Sequence, residues 1–360
     1  MTSMNATRAS RLSWLILGLL ITALSPVLFS QSISTFDFPN SSYTHPTAIN
    51  MKGEITGYYF ATAAYHGFIR RSNGSFASFD VPMQPGGFPP NAFPMDINNM
   101  GQITGFYALE SQLHSFLRQA DGTIAKFLPS SSTTQSQLRA YAQSDLYDKP
   151  MCGGEDRWLA FSINDVGQIT GSGPLTTAVA SGFLRAPDGS ITSFDVAPPG
   201  LSQRTCPQAI NVWGQIAGYD SSLTGFVRQR NGTVAQFSAP NASETIPTAI
   251  NLFGAITGFY ADSTGMHGFI RLASGVFNSF DPPGSLNTEP TAINALGEIA
   301  GFYSGTDGIA HSFVREPNGT VRTFNVPKSE GTFARSINLF GTITGDYFDG
   351  SSYHGFIRKK

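Results

Sequence analysis

Charge is scarce in this chain of 360 residues: Asp, Glu, Lys and Arg make up 13% of it, about half the quarter usual for a soluble domain. So few charges exclude a disordered or coiled-coil protein, since both rely on abundant solvated side chains. The two signs nearly balance, leaving a formal net charge of -2, which argues against a nucleic-acid partner. Cysteine is scarcer still, with only Cys152 and Cys206. Two thiols cannot build a tetrahedral zinc site, no H-E-x-x-H spacing occurs, and neither a metal nor a cofactor is expected. There is no G-x-S-x-G motif, and no residue is singled out as catalytic. Abundant instead are Gly (38), Pro (22) and Phe (29), a mixture of turn formers and bulky apolar residues that fits a turn-dense all-β protein.

Residues 1 to 11 carry Arg8 and Arg11 and no acid, Leu12 to Leu24 is uncharged and apolar, and Ser25-Pro26 and Ser30-Gln31-Ser32 follow. This is the order of a secretory signal, so 1–30 is expected to be a signal peptide and 31–360 a secreted or periplasmic domain. Extended to Phe29 the apolar run has 18 residues, and an uncleaved membrane anchor is the alternative. A membrane contact is expected only in that case. In an oxidising compartment the even cysteine pair reads as a disulfide between Cys152 and Cys206.

One pattern recurs seven times: [TS]-A-I-N-x-x-G-x-I-[TA]-G-[YF]-Y, then H-[GS]-F-[IVL]-R, a turn ending in Gly, and F-D-x-P. Its Asn stands at Asn50, Asn98, Asn164, Asn211, Asn251, Asn294 and Asn338, with spacings of 48, 66, 47, 40, 43 and 44 residues. The long interval marks an insert at about 129–160. Each unit reads as four short strands, in the first copy Thr47 to Ile49, Glu54 to Tyr59, His66 to Arg70 and Phe76 to Val81. Asn50 to Gly53 has type I turn chemistry, and Asn73-Gly74 or Asp121-Gly122 joins the last two strands as a hairpin. Pairs such as Phe68-Ile69 place bulky side chains on both faces of a sheet, so both faces must be covered.

Radial stacking of four-stranded sheets covers both faces, and units of about 40 to 50 residues match propeller blades. The seventh unit stops at Lys360 without its F-D-x-P strand, while Ile33 to Pro39 supplies that strand at the other end of the chain. The sequence therefore predicts a seven-bladed β-propeller of four-stranded antiparallel blades, closed by the N-terminal strand. A β-helix has no reason for such a complementary split.

The I-N-x-x-G-x-I-x-G and H-[GS]-F-x-R segments resemble the probable extracellular repeats of the HAF family. The triplets are His66-Gly67-Phe68, His114-Ser115-Phe116, His267-Gly268-Phe269, His311-Ser312-Phe313 and His354-Gly355-Phe356, while the third and fourth units have Ser181 and Thr224 in place of His. The resemblance implies a secreted bacterial-type protein and brings no catalytic residues with it.

His66, His114, His267, His311 and His354 share one repeat position and tempt a reading as a metal ring. Equivalent positions on neighbouring blades lie on the order of 10 Å apart, too far for one ion, so a framework imidazole bonded within its blade is expected. Arg70, Arg118, Arg185, Arg228, Arg271, Arg315 and Arg358 are likewise expected to be structural, pairing with a carbonyl or an acid such as Asp80, Asp195 or Asp281. Mid-strand Gly57, Gly105, Gly171, Gly218, Gly258, Gly301 and Gly345 are expected to admit an aromatic ring from an adjacent blade. The aromatics that follow them, such as Tyr58 and Tyr59, serve packing or stack on sugars.

The insert carries Asp145, Asp148, Glu155, Asp156, Arg157 and Trp158 beside Cys152, and long loops in compact domains are commonly functional. These residues are the expected ligand-binding rim, on the face of the links between units. The function expected is that of a monomeric binding or scaffold module with a protein or glycan partner. A carbohydrate-binding or carbohydrate-active protein and a purely structural envelope protein are the alternatives.

Overall fold

The computed structural model describes residues 32–82, 90–109, 112–127, 159–174, 180–196 and 204–360. Among them all regular structure is β-strand. Four separate four-stranded antiparallel sheets come first along the chain, and the strands of the first are Tyr43–Ile49, Ile55–Ala61, Ala64–Arg70 and Phe76–Phe79. A twelve-stranded sheet follows. It consists of three further antiparallel sets of four, joined only by the single parallel bridges Met266–Asn287 and Ala310–Gly331. In the last set the fourth strand is Ser32–Phe36, which pairs with Tyr353–Lys359, Ser32 opposite Lys359 and Phe36 opposite Gly355. The complementary ends of the chain thus meet in one sheet.

The turns form as their chemistry dictates. Gly53 donates to Asn50 O at 3.0 Å, and Asn50 Oδ1 accepts from the amides of Lys52 and Glu54, both at 3.0 Å. The fourth turn position has φ +75, which glycine adopts without strain. First strands run longer than the sequence implied, from Tyr43 rather than Thr47. Pro46 lies within the strand, on an edge where its missing N–H costs no ladder bond, beside a bulge between Pro46 and Ala48.

That bulge corrects the expectation for the mid-strand glycines. A Cβ on Gly57 would lie 2.0 Å from His45 O, and one on Gly258 would lie 2.0 Å from Ile246 O. The same backbone approach recurs at Gly105, Gly171, Gly218, Gly301 and Gly345. The glycine makes room for the kinked first strand of its own sheet, not for a neighbour's ring. The following aromatics are spent on packing: Tyr58, Tyr59, Phe106, Tyr107, Phe259 and Phe302 are all buried.

The repeated Arg is the second correction. Asp80, Asp195 and Asp281 bond to His66, Ser181 and His267 at 2.6, 2.6 and 2.7 Å, not to Arg. Each guanidinium instead lies over the Phe of the preceding unit's fourth strand. Arg118 sits 5.0 Å from the centroid of Phe79, Arg185 5.1 Å from Phe127, Arg228 4.7 Å from Phe194 and Arg271 4.6 Å from Phe237. Arg315 covers Phe280, Arg358 covers Phe324, and Arg70 covers Phe36 of the N-terminal strand at 4.9 Å. A partly desolvated cation over a ring contributes about 1 kcal/mol, so the contact is a recurrent clamp between neighbouring sheets. The carbonyl half of the expectation is met as well, for Arg118 Nη1 donates to Gln119 O at 3.1 Å.

The core lies between sheets. One cluster joins Ala48, Ile69 and Phe79 of the first to Ile97, Ile103 and Phe116 of the second, and Phe313 and Phe356 sit in equivalent clusters later in the chain. The small residue in H-[GS]-F has its cause here too, because a Cβ on Gly67 would lie 2.5 Å from the ring of Phe79.

Candidate functional site

The first strands converge. At their C-terminal ends Asn50 Nδ2 donates to Asn98 O at 3.1 Å, Asn98 to Asn164 O at 2.9 Å, Asn164 to Asn211 O at 2.9 Å and Asn211 to Asn251 O at 3.1 Å. Asn251 continues to Asn294, Asn294 to Asn338, and Asn338 to Asn50, each at 3.1 Å. Side chain Nδ2 of Asn50, Asn98, Asn164, Asn211 and Asn294 spends its second hydrogen on the Glu or Gln after the turn glycine. A cavity of about 470 Å³ is bordered by all seven turns. On this face the third turn position carries Met100, Val166, Trp213, Phe253, Leu296 and Phe340, all largely exposed, with Phe253 at 70%. Sequence reading passed over this position, although its apolar character recurs in six of seven units.

At the opposite ends of the first strands lies a second cavity, of about 420 Å³. Its walls include the rings of Tyr219, Phe259, Phe302 and Phe333 and the side chains of Ile246, Met266 and Ala310. Its polar groups include the carboxylates Glu244 and Glu289 with Asn287 and Ser304. The repeat explains this placement. Ile246, Glu289 and Phe333 occupy the position before Pro247, Pro290 and Ala334, where the backbone bulges. In other units that position holds His45, Phe93, Leu159 and Cys206, so the repeat leaves it free to vary. Burial pushes the Tyr219 hydroxyl well above its usual range and keeps it a neutral phenol.

Beside this cavity is an enclosed polar cluster. Arg335 Nε donates to Asp346 Oδ1 at 2.7 Å, and His45 Nδ1 lies 3.6 Å from Asp346 Oδ2. Burial alone would raise the Asp346 carboxyl, but the Arg335 charge and then His45 outweigh it and hold it down at about 2. Burial pushes His45 down, with Asp346 opposing. At neutral pH the cluster is therefore one guanidinium, one carboxylate and one neutral imidazole. The His45 ring is stacked on Tyr58 at 5.2 Å and flanked by Tyr353 at 5.1 Å. Arg335 also lies 5.3 Å from the centroids of both Phe302 and Phe333, the cavity's own rings.

The repeated imidazoles are framework groups, as expected, in four of five copies. His66, His267, His311 and His354 bond to Asp80, Asp281, Asn325 and Asp37, each the residue just past the end of its fourth strand. His114 departs because Leu128 stands where the acid would be; its Nδ1 has no hydrogen-bond partner among the described residues, and burial pushes its pKa down. Asp145, Asp148, Glu155, Asp156, Arg157 and Trp158 lie outside the described residues, as does Cys152. Cys206 lies within the first strand Thr205–Ile210, buried against Tyr219, Ile246 and Phe259.

No family model and no curated protein matches the chain. Among solved structures it is similar to a streptogramin B lyase, at 12% identity, TM-score 0.57, 91% of this chain and 97% of that one. It is equally similar, at 12% identity and TM-score 0.57, to virginiamycin B lyase from Staphylococcus aureus and to a catalytically inactive variant of that enzyme with quinupristin, covering 91% of this chain and 99% of each of those. A prolyl endopeptidase is matched at 9% identity and TM-score 0.51, over 88% of this chain and 46% of that one. Likeness at this identity concerns the fold alone, and with the four-stranded antiparallel sheets it establishes that the chain has a β-propeller-like fold.

Proposed function

We propose that this is an exported, monomeric binding module: a closed seven-bladed β-propeller of HAF-type extracellular repeats whose ligand enters the cavity bounded by Phe302, Phe333 and Glu289. The pairing of Ser32–Phe36 with Tyr353–Lys359 and the donation from Asn338 to Asn50 support closure. The basic, then apolar N-terminal order of residues 1–30 supports export. The observation that carries the binding function is the cavity itself. It has the size of a small-molecule pocket, largely apolar walls and a few polar groups, and it lies where first strands begin.

The insert belongs to the same reading. Leu159 opens the first strand that follows it. A disulfide from Cys152 to Cys206 would tie the insert beside Tyr219 of the cavity wall.

The test is a screen of small molecules, peptides and glycans by thermal shift on the purified protein, repeated with Phe333→Leu. A ligand that stabilises the protein and loses its effect in the variant supports the proposal. Ligands indifferent to Phe333→Leu refute the cavity as the site.

A further inference from the structure

Large apolar side chains stand exposed on the face where the Asn turns meet: Met100, Val166, Trp213, Phe253, Leu296 and Phe340. At about 200 Å² for a whole large side chain they bare on the order of 700 Å², more than the roughly 300–600 Å² of the largest patch on an ordinary monomer. The polar groups beneath them are already spent. The amides of Met100, Trp213, Phe253, Leu296 and Phe340 each donate to the Oδ1 of their turn's Asn at 3.0 or 3.1 Å. Trp213, though 60% exposed, gives its indole N–H to Leu252 O at 3.0 Å. A turn whose donors are satisfied internally can leave water without losing hydrogen bonds, which is what entry into lipid demands. The bonds running from Asn50 round to Asn338 and back tie the turns together, so these side chains form a rim suited to a flat partner.

The place where the chain enters the domain selects a bilayer as that partner. Ser32 pairs with Lys359, and the side chain of Lys360 reaches Gly341 of the seventh turn, so the N-terminal strand begins on this face. The uncharged apolar run extends to Phe29, and the three residues from there to Ser32 span at most about 10 Å. A run that enters a bilayer therefore keeps this face close to it. We propose that the face rests on a lipid bilayer, its apolar rim in the headgroup region and Trp213 at the depth where indoles concentrate. The 420 Å³ cavity, at the opposite ends of the first strands, then stays open to solvent.

The experiment uses the full chain with Trp14→Phe and Trp158→Phe, which leaves Trp213 as its one tryptophan, mixed with phosphatidylcholine vesicles and recovered by flotation. On vesicles the Trp213 emission is expected to move to the blue by about 10 nm or more, and to be quenched about twofold more by lipid brominated near the headgroups than near the chain ends. Phe253→Ser and Phe340→Ser together, both at exposed positions, are expected to reduce that quenching by about half or more with an unchanged circular dichroism spectrum. Equal emission with and without vesicles, in a chain that floats with them, overturns the inference, and so does a failure to float. A blue shift that arises without lipid and grows with protein concentration makes a second copy the occupant and overturns it as well.

Discussion

Asp96 offers a quantitative check on how the first strands hold together. Its carboxylate accepts from Ser162 Oγ at 3.0 Å, from the Ile163 amide at 2.9 Å and from its own strand at Ile97 N at 2.8 Å, so it latches the second sheet to the third. Burial outweighs those bonds and raises its pKa from 3.8 to about 6, with Asp165 adding repulsion. A raised acid binds its proton more tightly folded than unfolded, so its contribution is full below pH 4 and is lost as pH rises through 6. A shift of about two units corresponds to ~3 kcal/mol. Asp96→Asn removes the titration, but its amide nitrogen cannot accept from Ile97, which costs about 1 kcal/mol. The variant is therefore expected to be more stable than the parent by about 2 kcal/mol at pH 8 and less stable by about 1 kcal/mol at pH 3.5. Urea unfolding of both proteins from pH 3.5 to 8 measures this difference, in which shared titrations cancel. A difference that does not change sign across that range refutes the argument.

Three further outcomes are expected. Deleting residues 32–39 removes the fourth strand of the last set, the ring under Arg70 and the Asp37 partner of His354, so the melting temperature should fall by well over 5 °C; an unchanged value contradicts the role given to that strand. Gly258→Ala forces a Cβ to within 2.0 Å of the Ile246 carbonyl, a backbone clash expected to cost several kcal/mol, on the order of 3 or more; a soluble yield and melting point equal to the parent would count against it. At His267 burial lowers the pKa, but Asp281 and then Asp262 overcome that and leave it raised. Its stabilisation is present below the unfolded value near 6.5 and fades as pH rises through the folded pKa, so NMR titration of the imidazole should give a midpoint above 6.5, and one below it would refute the assignment.

Most of the architecture is written in the repeat, because each unit solves one local problem with fixed chemistry. The Asn50 to Gly53 turn, the Asn73-Gly74 hairpin and the stranded ends at Ile33 and Lys360 could be read directly. Contacts between units were harder. Nothing in the spacing of Arg118 and Phe79 says that one lies over the other, since the pair is made across sheets and both residues have plausible partners at home. The mid-strand glycines were attributed to a neighbour's ring because a bulge in an edge strand leaves no mark in periodicity. The candidate cavity was missed for the opposite reason. Glu244, Glu289 and Phe333 sit where the repeat varies, and a search for what recurs discards that position, although variation on a constant frame is where a binding surface differs from its scaffold.

The clamp of Arg over Phe joins residues from two successive units, so the segment that recurs in sequence and the interface that holds the structure are out of step. Every copy carries an Arg for the unit before it and a Phe for the unit after it. A duplicated copy therefore arrives with both halves of a matched joint, and copies can be added or lost without inventing a new contact. Such a chain can grow by simple tandem gene duplication, and its individual units can diverge afterwards at positions such as Glu289 while the joints remain interchangeable.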